Sequence, residues 1–473
     1  MRTLKLFGVS ALSLALAACH SYRDVDQAAS LASLPETAAQ FELEGRLVAQ
    51  EPVRDWWQQL EDADLENLLT LAFDHNKDLA IAEASLNESR AILRQAKAEL
   101  FPTLDASVGS TREKYPRAIN PLRPNTIMDI YDVTLDTSWE VDLFTGRLGN
   151  AVKAGRANLV ERESALRAVQ VSVAAEVAAS YVSLRGIQYQ LEVARRNAEV
   201  QRQTYELTQR LQEVGQGDLF DVSRAQAQLA LTEARIPALE AAQRVALNRL
   251  GVLTGQGSDA LREMLNEVRP LPSLPPSVAV GDPRALLQRR PDISQMEAAL
   301  QMAVARYNIA VSDLYPRIVF NGSLGFLSTS WSDIGRESTE VFSFAPSLQW
   351  GGLNQGRAQA RIAAADAQTQ SQVAAFERQV LLALEETDNA LRRFTREEER
   401  RAKLVEAAQA SAQAANFARQ RFEVGASDFL SVLDAERSQL EVDAQLAESE
   451  TQLLLNLVAV YKTLGGGWEV AQQ

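Results

Sequence analysis

The amino-acid sequence contains an internal two-fold repeat, which limits the fold more than any other feature because each half must form the same structure. Three short landmarks recur in the same order along the chain. Two of the pairs are offset by 210 residues and one by 214, a difference that a small loop explains. The pairs are Leu100-Phe101-Pro102 with Leu314-Tyr315-Pro316, Gly146-Arg147 with Gly356-Arg357, and Glu213-Val214-Gly215 with Glu423-Val424-Gly425.

Each repeat contains one very long segment without proline, residues 147–214 and residues 357–424. Both segments are rich in Ala, Glu, Gln, Arg and Leu, which favour helices. At 1.5 Å per residue, each helix would extend roughly 100 Å. Apolar residues between Leu148 and Leu191 recur at steps of three, four and seven, which is typical of a coiled-coil seam. A structural coiled-coil rod is one alternative, although the strand patterns before each helix argue against it.

A glycine turn ends each long helix. Gly215 and Gly425 can supply a left-handed helix cap, while Asp218 and Asp428 are placed to cap the next helix. Each turn is therefore predicted to be the tip of a helical hairpin.

The return helices are predicted at residues 219–253 and 429–464, with a kink or break at Pro237. They are about half as long as the rods, so residues 64–100 and 283–314 are expected to continue them as helices.

Four segments alternate between apolar and polar residues, which predicts strands with one apolar face. Each has about ten residues, enough to cross a membrane when tilted. Four strands cannot close a barrel, and lipid tolerates no open sheet edge, so sister chains must supply partners. The alternative is a pair of soluble hairpins. The four segments are residues 104–112, 131–141, 318–326 and 341–350.

The N-terminus has the pattern of a secretory signal, with Arg2 and Lys5 before a short apolar stretch. Leu16-Ala17-Ala18-Cys19 resembles the bacterial lipobox, in which the cysteine is acylated after cleavage. Cys19 is the only cysteine, so a disulfide within the chain is impossible. His20 follows it, where lipoproteins kept in the inner membrane usually carry Asp, so the resemblance favours the outer membrane. A simple cleaved signal is the alternative.

Composition argues against nucleic-acid binding and against catalysis. The net charge is −14, which does not suit a nucleic-acid partner. The chain has two histidines and one cysteine, so no zinc site or Ser-His-Asp or Cys-His constellation can be assembled. We expect no catalytic residues, no metal site and no cofactor apart from the covalent lipid on Cys19.

The chain resembles the TolC-like outer-membrane factors of tripartite efflux systems, and most closely their lipoprotein branch (OprM-like, NodT-type). The order of five short motifs, the lipobox and the duplicated rods make the resemblance specific, and it covers nearly the whole mature chain. The motifs are Asp55-Trp56-Trp57, Asn76-Lys77-Asp78-Leu79, Asp142-Leu143-Phe144-Thr145-Gly146-Arg147, Arg289-Arg290-Pro291-Asp292-Ile293 and Leu464-Gly465-Gly466-Gly467-Trp468.

The resemblance implies a mainly α fold with a transmembrane β part. Duplicated helical hairpins from three copies would form an α-barrel, and four strands per chain would contribute to a 12-stranded β-barrel. The implied function is a passive small-molecule duct in the outer membrane, lipid-anchored and extending into the periplasm. The implied partners are two sister chains, outer-membrane lipid, a periplasmic adaptor (membrane fusion protein) and an inner-membrane RND-type transporter.

The resemblance also implies the site residues. A gate is expected early in the last helix, with Asp434 as a ring of three carboxylates and Leu430 as an apolar constriction one turn away. For Asp434, a solvated residue or an ion pair with Arg437 is the alternative. Adaptor contact is expected at the tips. The tip residues are Val214, Gly215, Asp218, Val424, Gly425, Ser427 and Asp428.

The sequence leaves two other functions open: the outer-membrane duct of a type I protein secretion system, and a periplasmic coiled-coil adaptor. An adaptor would show one hairpin flanked by β-domains, whereas this chain has two hairpins. The predicted organisation is a signal peptide (1–18), a lipid-anchored segment (19–63), a first repeat (64–255), a proline-rich equatorial connector (256–283), a second repeat (284–467) and a tail (468–473).

Overall fold

The computed structural model describes residues 22–25, 27, 44–116, 126–143, 145–350 and 354–466. The predicted signal, Cys19 and the predicted tail lie outside these residues. Both repeats have the predicted order of elements. The first repeat contains α1 (Ala63–His75), α2 (Lys77–Ala98), β2 (Thr103–Tyr115), β3 (Thr126–Val141), α3 (Arg147–Glu213), α4 (Leu219–Glu233) and α5 (Arg235–Thr254). The second contains α7 (Pro283–Arg289), α8 (Pro291–Ser312), β5 (Arg317–Ser328), β6 (Glu340–Gln349), α9 (Gln355–Glu423) and α10 (Phe429–Thr463).

The two long helices confirm the strongest prediction from the sequence. Helix α3 has 67 residues and α9 has 69, so each extends roughly 100 Å. The predicted break near Pro237 is also confirmed. Helix α4 ends at Glu233 and α5 begins at Arg235, because a proline cannot donate to the carbonyl one turn before it.

Two predicted helices are each divided in two, which corrects the sequence prediction. Residues 64–100 form α1 and α2, separated by Asn76. The Asn76 side chain accepts hydrogen bonds from the amides of Asp78 and Leu79 at 2.8 and 3.1 Å, so it caps α2. Its amide also donates to the carbonyl of Leu253 at 2.9 Å, which fixes the break against α5.

Residues 283–314 are likewise divided into α7 and α8 at Arg290. Arg290 precedes Pro291, whose ring disfavours helical backbone at the residue before it. The buried Arg290 guanidinium pairs with Asp292 and Glu386, each at 2.8 Å. It also donates to the carbonyl of Thr463 at 3.2 Å, so the break is held by an ionic cluster.

The four predicted strands form one antiparallel sheet in the order β2-β3-β5-β6. The first two strands are longer than predicted, with 13 and 16 residues. The register places Leu135 opposite both Ala106 and Leu324, and Leu324 opposite Phe342. Apolar side chains of all four strands therefore share one face.

The connector between the repeats contains short elements. Helix α6 (Ser258–Met264) is followed by strand β4 (Val278–Ala279), which pairs in parallel with β1 (Leu47–Val48). A short 3₁₀ helix, Trp56–Leu60, precedes α1.

The chain divides into two compact units that each combine segments of both repeats. One contains Ser85–Glu163 and Ser294–Arg378, with a small core around Leu300, Val304 and Ala305. The other contains the described residues of Pro35–Ala84, Ser164–Ile293 and Gln379–Gln473, with the largest apolar cluster found among them.

In the second of these units, Trp56 stacks on Tyr461 with ring centroids 4.9 Å apart. Burial raises the pKa of the Tyr461 hydroxyl to about 12, so it stays protonated and donates to Gln59 at 2.6 Å. Among the described residues, the helices lack the combined length and apolar character needed to cross a membrane.

Candidate gate and tip surfaces

The two hairpin tips, residues 214–218 (first tip) and 424–428 (second tip), have the same backbone geometry. Gly215 and Gly425 both adopt φ of +71°, a left-handed conformation that glycine allows without strain. In the first tip, the amide of Gln216 donates to the carbonyl of Leu211 at 2.8 Å, and the equivalent bond in the second tip is 2.7 Å. Both turns are thus Schellman caps, and the repeat extends to individual hydrogen bonds.

The predicted caps of the return helices are present at both tips. The Asp218 carboxylate accepts from the amide of Phe220 at 3.1 Å. The Asp428 carboxylate accepts from the amide of Ser431 at 3.0 Å and from its hydroxyl at 2.6 Å. The bond from the Ser431 hydroxyl, with that from its amide, lowers the pKa of Asp428. The cap therefore contributes stability above the pKa of unfolded Asp and loses it as the pH falls through the lower folded pKa.

The tips expose apolar side chains next to these caps. Val214 is 68% exposed and Val424 is 78% exposed, as contact residues must be. Leu219 and Phe220 are also exposed at the first tip, and the sequence prediction missed both. The sequence does show two consecutive apolar residues after a cap. Because one helix face cannot bury both, this pattern could have predicted an exposed apolar side chain at the tip. At the second tip, the Ser427 hydroxyl is buried and has no partner among the described residues.

The predicted gate residues lie on a different face of α10 from its buried residues. Leu430 is 40% exposed and Asp434 is 58% exposed. The neighbouring Phe429, Val432 and Leu433 are buried, and all three belong to a cluster around Ala225 of α4. Packing therefore fixes α10 against α4 and leaves Leu430 and Asp434 free to face another surface.

Asp434 pairs with an arginine other than the one the sequence suggested. Its carboxylate lies 4.0 Å from the Arg224 guanidinium, and both side chains are substantially exposed. Arg224 and Asp434 occupy equivalent positions of the two repeats, 210 residues apart. Arg224 also lies over the ring of Phe220, 5.5 Å from its centroid. At this distance and exposure the pair adds little stability, so Asp434 remains accessible.

Sequence reasoning missed a buried glutamate close to the predicted gate residues. Glu436 is 3% exposed, and its carboxylate accepts from Arg419 at 2.6 Å and from the Thr204 hydroxyl at 3.2 Å. These three side chains join α3, α9 and α10 on the buried side of α10. Pattern alone gave no signal, because a glutamate in a long polar helix is ordinarily solvated.

Most of the side chains at the hairpin ends are exposed and include no metal-ligand set among the described residues. Within the described ranges, the structure brings together no set of three His, Cys, Asp or Glu side chains that could hold a metal ion. Instead it presents exposed carboxylate and apolar side chains at the ends of long helical hairpins. Exposed carboxylates of this kind can bias a passage toward cations.

Comparison with known proteins identifies the class. Residues 68–256 and 283–466 match the model of the outer membrane efflux protein family. These two segments correspond closely to the two repeats. The chain is 28% identical over 468 residues to the outer membrane protein OprJ of Pseudomonas aeruginosa, covering 98% of this chain and 96% of that protein. It is 30% identical over 423 residues to the solvent efflux pump outer membrane protein SrpC of Pseudomonas putida, covering 87% of each chain.

Solved structures agree with the sequence relatives. The outer-membrane channel OprN aligns with a TM-score of 0.85 and 34% identity, covering 92% of this chain and 98% of that one. The outer membrane protein VceC of Vibrio cholerae aligns with a TM-score of 0.82 and 26% identity, covering 88% of this chain and all of that one.

The chain belongs to the outer membrane efflux protein family. Its predicted fold class is confirmed: the chain is mainly α, with duplicated helical hairpins and a smaller β part. It is an efflux channel protein of the outer membrane that extends into the periplasm, as predicted.

Proposed function

We propose that three copies of this chain close into one passive duct that exports small molecules through the periplasm and the outer membrane. The observation that carries this proposal is the four-stranded sheet. Its two outer strands, β2 and β6, lie at open edges within the described sheet. One of its faces is both apolar and exposed to solvent in a single chain.

The apolar face has the composition expected of a lipid contact. Large exposed side chains lie on every strand, and the register aligns them. The opposite face is polar: the Ser107 and Thr134 hydroxyls are 2.6 Å apart, and the Ser138 hydroxyl donates to Asn321 at 3.0 Å. The exposed apolar side chains are Leu104, Val108, Ile127, Leu135, Leu324, Phe342, Phe344 and Leu348.

Lipid offers no hydrogen bonds to the open edges, so each edge requires a strand from another copy. Three copies would give twelve strands, an even number within the range of known outer-membrane barrels. Two copies would give eight strands, whose interior is filled by side chains and leaves no passage. Trimer formation therefore satisfies the edges and provides a lumen.

The helical hairpins would line the same passage. In our proposal, Leu430 and Asp434 form the narrowest part, with an apolar ring and a carboxylate ring one helical turn apart. The relatives are named as efflux pump proteins for toluene, solvents and antibiotics. We accordingly infer that small, largely apolar molecules are exported, and that an inner-membrane RND-type transporter provides the energy.

The tips are the proposed contact with a periplasmic adaptor. Val214 and Val424 expose apolar surface beside the glycine turns, which keep the tip backbone narrow. Both tips share one backbone geometry, so one adaptor surface could recognise either.

Asp434→Ala tests the gate and the channel function together. Purified protein in a planar bilayer should conduct ions, and the variant should show a changed conductance and a weaker preference for cations, because the ring loses its carboxylates. Glu441→Ala, which removes another carboxylate of α10, is the control. Conductance and cation preference equal to wild type would remove Asp434 from the gate, and an absence of conductance in all variants would contradict the duct itself.

We also propose that Cys19 is acylated and anchors the chain in the outer membrane. One acyl chain gives only marginal membrane binding, whereas the several chains of a lipoprotein give stable anchoring. Cys19→Ser should abolish incorporation of radioactive palmitate. Wild-type labelling of the variant would show that the lipid is attached elsewhere or that the cysteine is incidental.

A further inference from the structure

We infer that a basic cavity at the start of α9 binds the phosphate of a phospholipid headgroup. The cavity has a volume of about 410 Å³. Three arginines line it with a single carboxylate, so these four side chains carry a net charge of +2 in a chain whose total is −14. The charged lining residues are Asp313, Arg317, Arg357 and Arg361.

The described residues neutralise only part of this positive charge. Asp313 is shared between Arg317 at 2.5 Å and Arg361 at 2.8 Å. Arg357 is exposed and makes no ion pair or side-chain hydrogen bond with any of the described residues. Within the described part of the chain, the Arg357 guanidinium is therefore available to a ligand. The Arg361 guanidinium shares the Asp313 carboxylate with Arg317.

The first repeat provides an internal comparison. The indole of Trp139 donates to the carbonyl of Leu100, and the indole of Trp350 donates to that of Leu314, both at 3.0 Å. The two sites are thus built alike around a tryptophan at the end of a strand. A Gly-Arg pair then begins the long helix in each repeat.

The net charge of the side chains is negative at the first site and positive at the second. Arg147 of the first repeat makes a bidentate pair with Glu140 at 2.7 and 2.9 Å. That hydrogen bond, with the nearby charges of Glu99 and Asp142, raises the pKa of the Arg147 guanidinium. In the second repeat, Gly351 follows Trp350 where Glu140 follows Trp139, and residues 351–356 contain no carboxylate. Arg357 therefore occupies the position equivalent to Arg147, but none of the described residues takes the place of Glu140 as its partner.

The position of Arg357 and Arg361 favours an external anion. Both lie in the first turns of α9, where the helix dipole disfavours cations, and the first turn contains no acidic residue. The planar guanidinium binds phosphate oxygens in a bidentate manner. A phosphate in this cavity would offset both the dipole and the repulsion between the arginines.

The location selects a lipid over a soluble anion, an argument that rests on the proposed function. The cavity lies where β5 begins and β6 ends, beside the exposed Trp350. Tryptophan and tyrosine favour the membrane interface, and basic pockets at that depth bind lipid headgroups. The phosphate would lie against the arginines, with the acyl chains along the apolar face of the sheet.

Native mass spectrometry of the detergent-solubilised protein tests this inference with three probes: dioleoyl-phosphatidylglycerol, dioleoylglycerol and inorganic phosphate. Wild type should retain phosphatidylglycerol, and Arg357→Gln should lower its affinity about tenfold, as expected from losing one hydrogen bond to a charged group. Arg357→Gln breaks no contact with a described residue, so folding should be unaffected. Arg396→Gln, an exposed arginine further along α9, should bind as wild type does.

Three results would overturn the inference: equal phosphatidylglycerol affinity in wild type and Arg357→Gln, equal retention of dioleoylglycerol, or displacement of the lipid by equimolar inorganic phosphate. The last would assign the cavity to a soluble anion. Conductance of the same samples in a planar bilayer separates this inference from the proposed function. A conducting protein without selective lipid binding would contradict the lipid site alone, whereas a non-conducting protein would contradict the duct.

Discussion

Replacing Val214 and Val424 together by aspartate is expected to abolish efflux while leaving the assembled protein intact. Both side chains are exposed on turns whose backbone is held by glycine caps, so the substitutions disturb no packing within the chain. At an apolar adaptor contact, however, each would bury an unpaired charge, at a cost of about 3 to 5 kcal/mol. Three copies would present six such charges.

The measurement uses a host strain in which the chromosomal gene for this protein has been replaced by each variant. Efflux is followed as tolerance of a toxic apolar compound. The matched control is Val214→Ile with Val424→Ile, which keeps the surface apolar and should retain efflux. Immunoblots of the outer-membrane fraction confirm equal amounts of protein. Full tolerance with both aspartates present would exclude the tips as the adaptor contact.

Arg185→Met is expected to lower the free energy of unfolding more than any other substitution proposed for this chain. The Arg185 side chain is 1% exposed in the middle of α3, and its guanidinium donates to Asp64, to Gln188 and to the carbonyl of Glu267 at 2.7 to 2.8 Å. Methionine fills similar space but removes the donor to Gln188 and to the carbonyl of Glu267, and it removes one of the two arginines that pair with Asp64. We expect a loss of about 3 kcal/mol, at the lower end for a broken buried pair, because Arg269 still pairs with Asp64.

Arg195→Met is the control for this substitution. Arg195 lies on the same helix and pairs with Glu240 at 2.8 Å, but both side chains are at least half exposed. Its loss should cost less than about 1 kcal/mol. Unfolding of the detergent-solubilised protein, followed by far-ultraviolet circular dichroism, compares the two. Equal midpoints for the two variants would show that the Arg185 cluster does not stabilise the fold.

The features predicted correctly are those set by local pattern and repeated twice. The absence of proline defined α3 and α9, Gly215 and Gly425 defined the tips, and Pro237 predicted the break before α5. Each of these effects acts within one or two turns of chain, so the sequence alone displays it.

The features that were missed depend on partners far away in the chain. Asn76 ends α1 through a bond to Leu253, and Glu436 is buried because Arg419 and Thr204 meet it. Arg185 contacts Asp64, 121 residues earlier. A polar residue inside a helix has the same local appearance whether it is solvated or buried in a cluster, so only tertiary structure distinguishes the two cases.

The ion pair of Asp434, the proposed gate residue, illustrates the same limit. Its predicted alternative partner, Arg437, lies on the same helix, whereas the structure brings Arg224 of α4 within 4.0 Å. The repeat relates positions 224 and 434, and their opposite charges were visible in the sequence. Their proximity was not visible, because an internal repeat does not determine how the two return helices pack against each other.

Sedimentation analysis or native mass spectrometry of the detergent-solubilised particle measures the number of chains that share one sheet. We expect three processed chains per particle, a number that supplies twelve strands and leaves no open edge in lipid. A particle of one chain would leave β2 and β6 unpaired in the membrane and would contradict the shared duct.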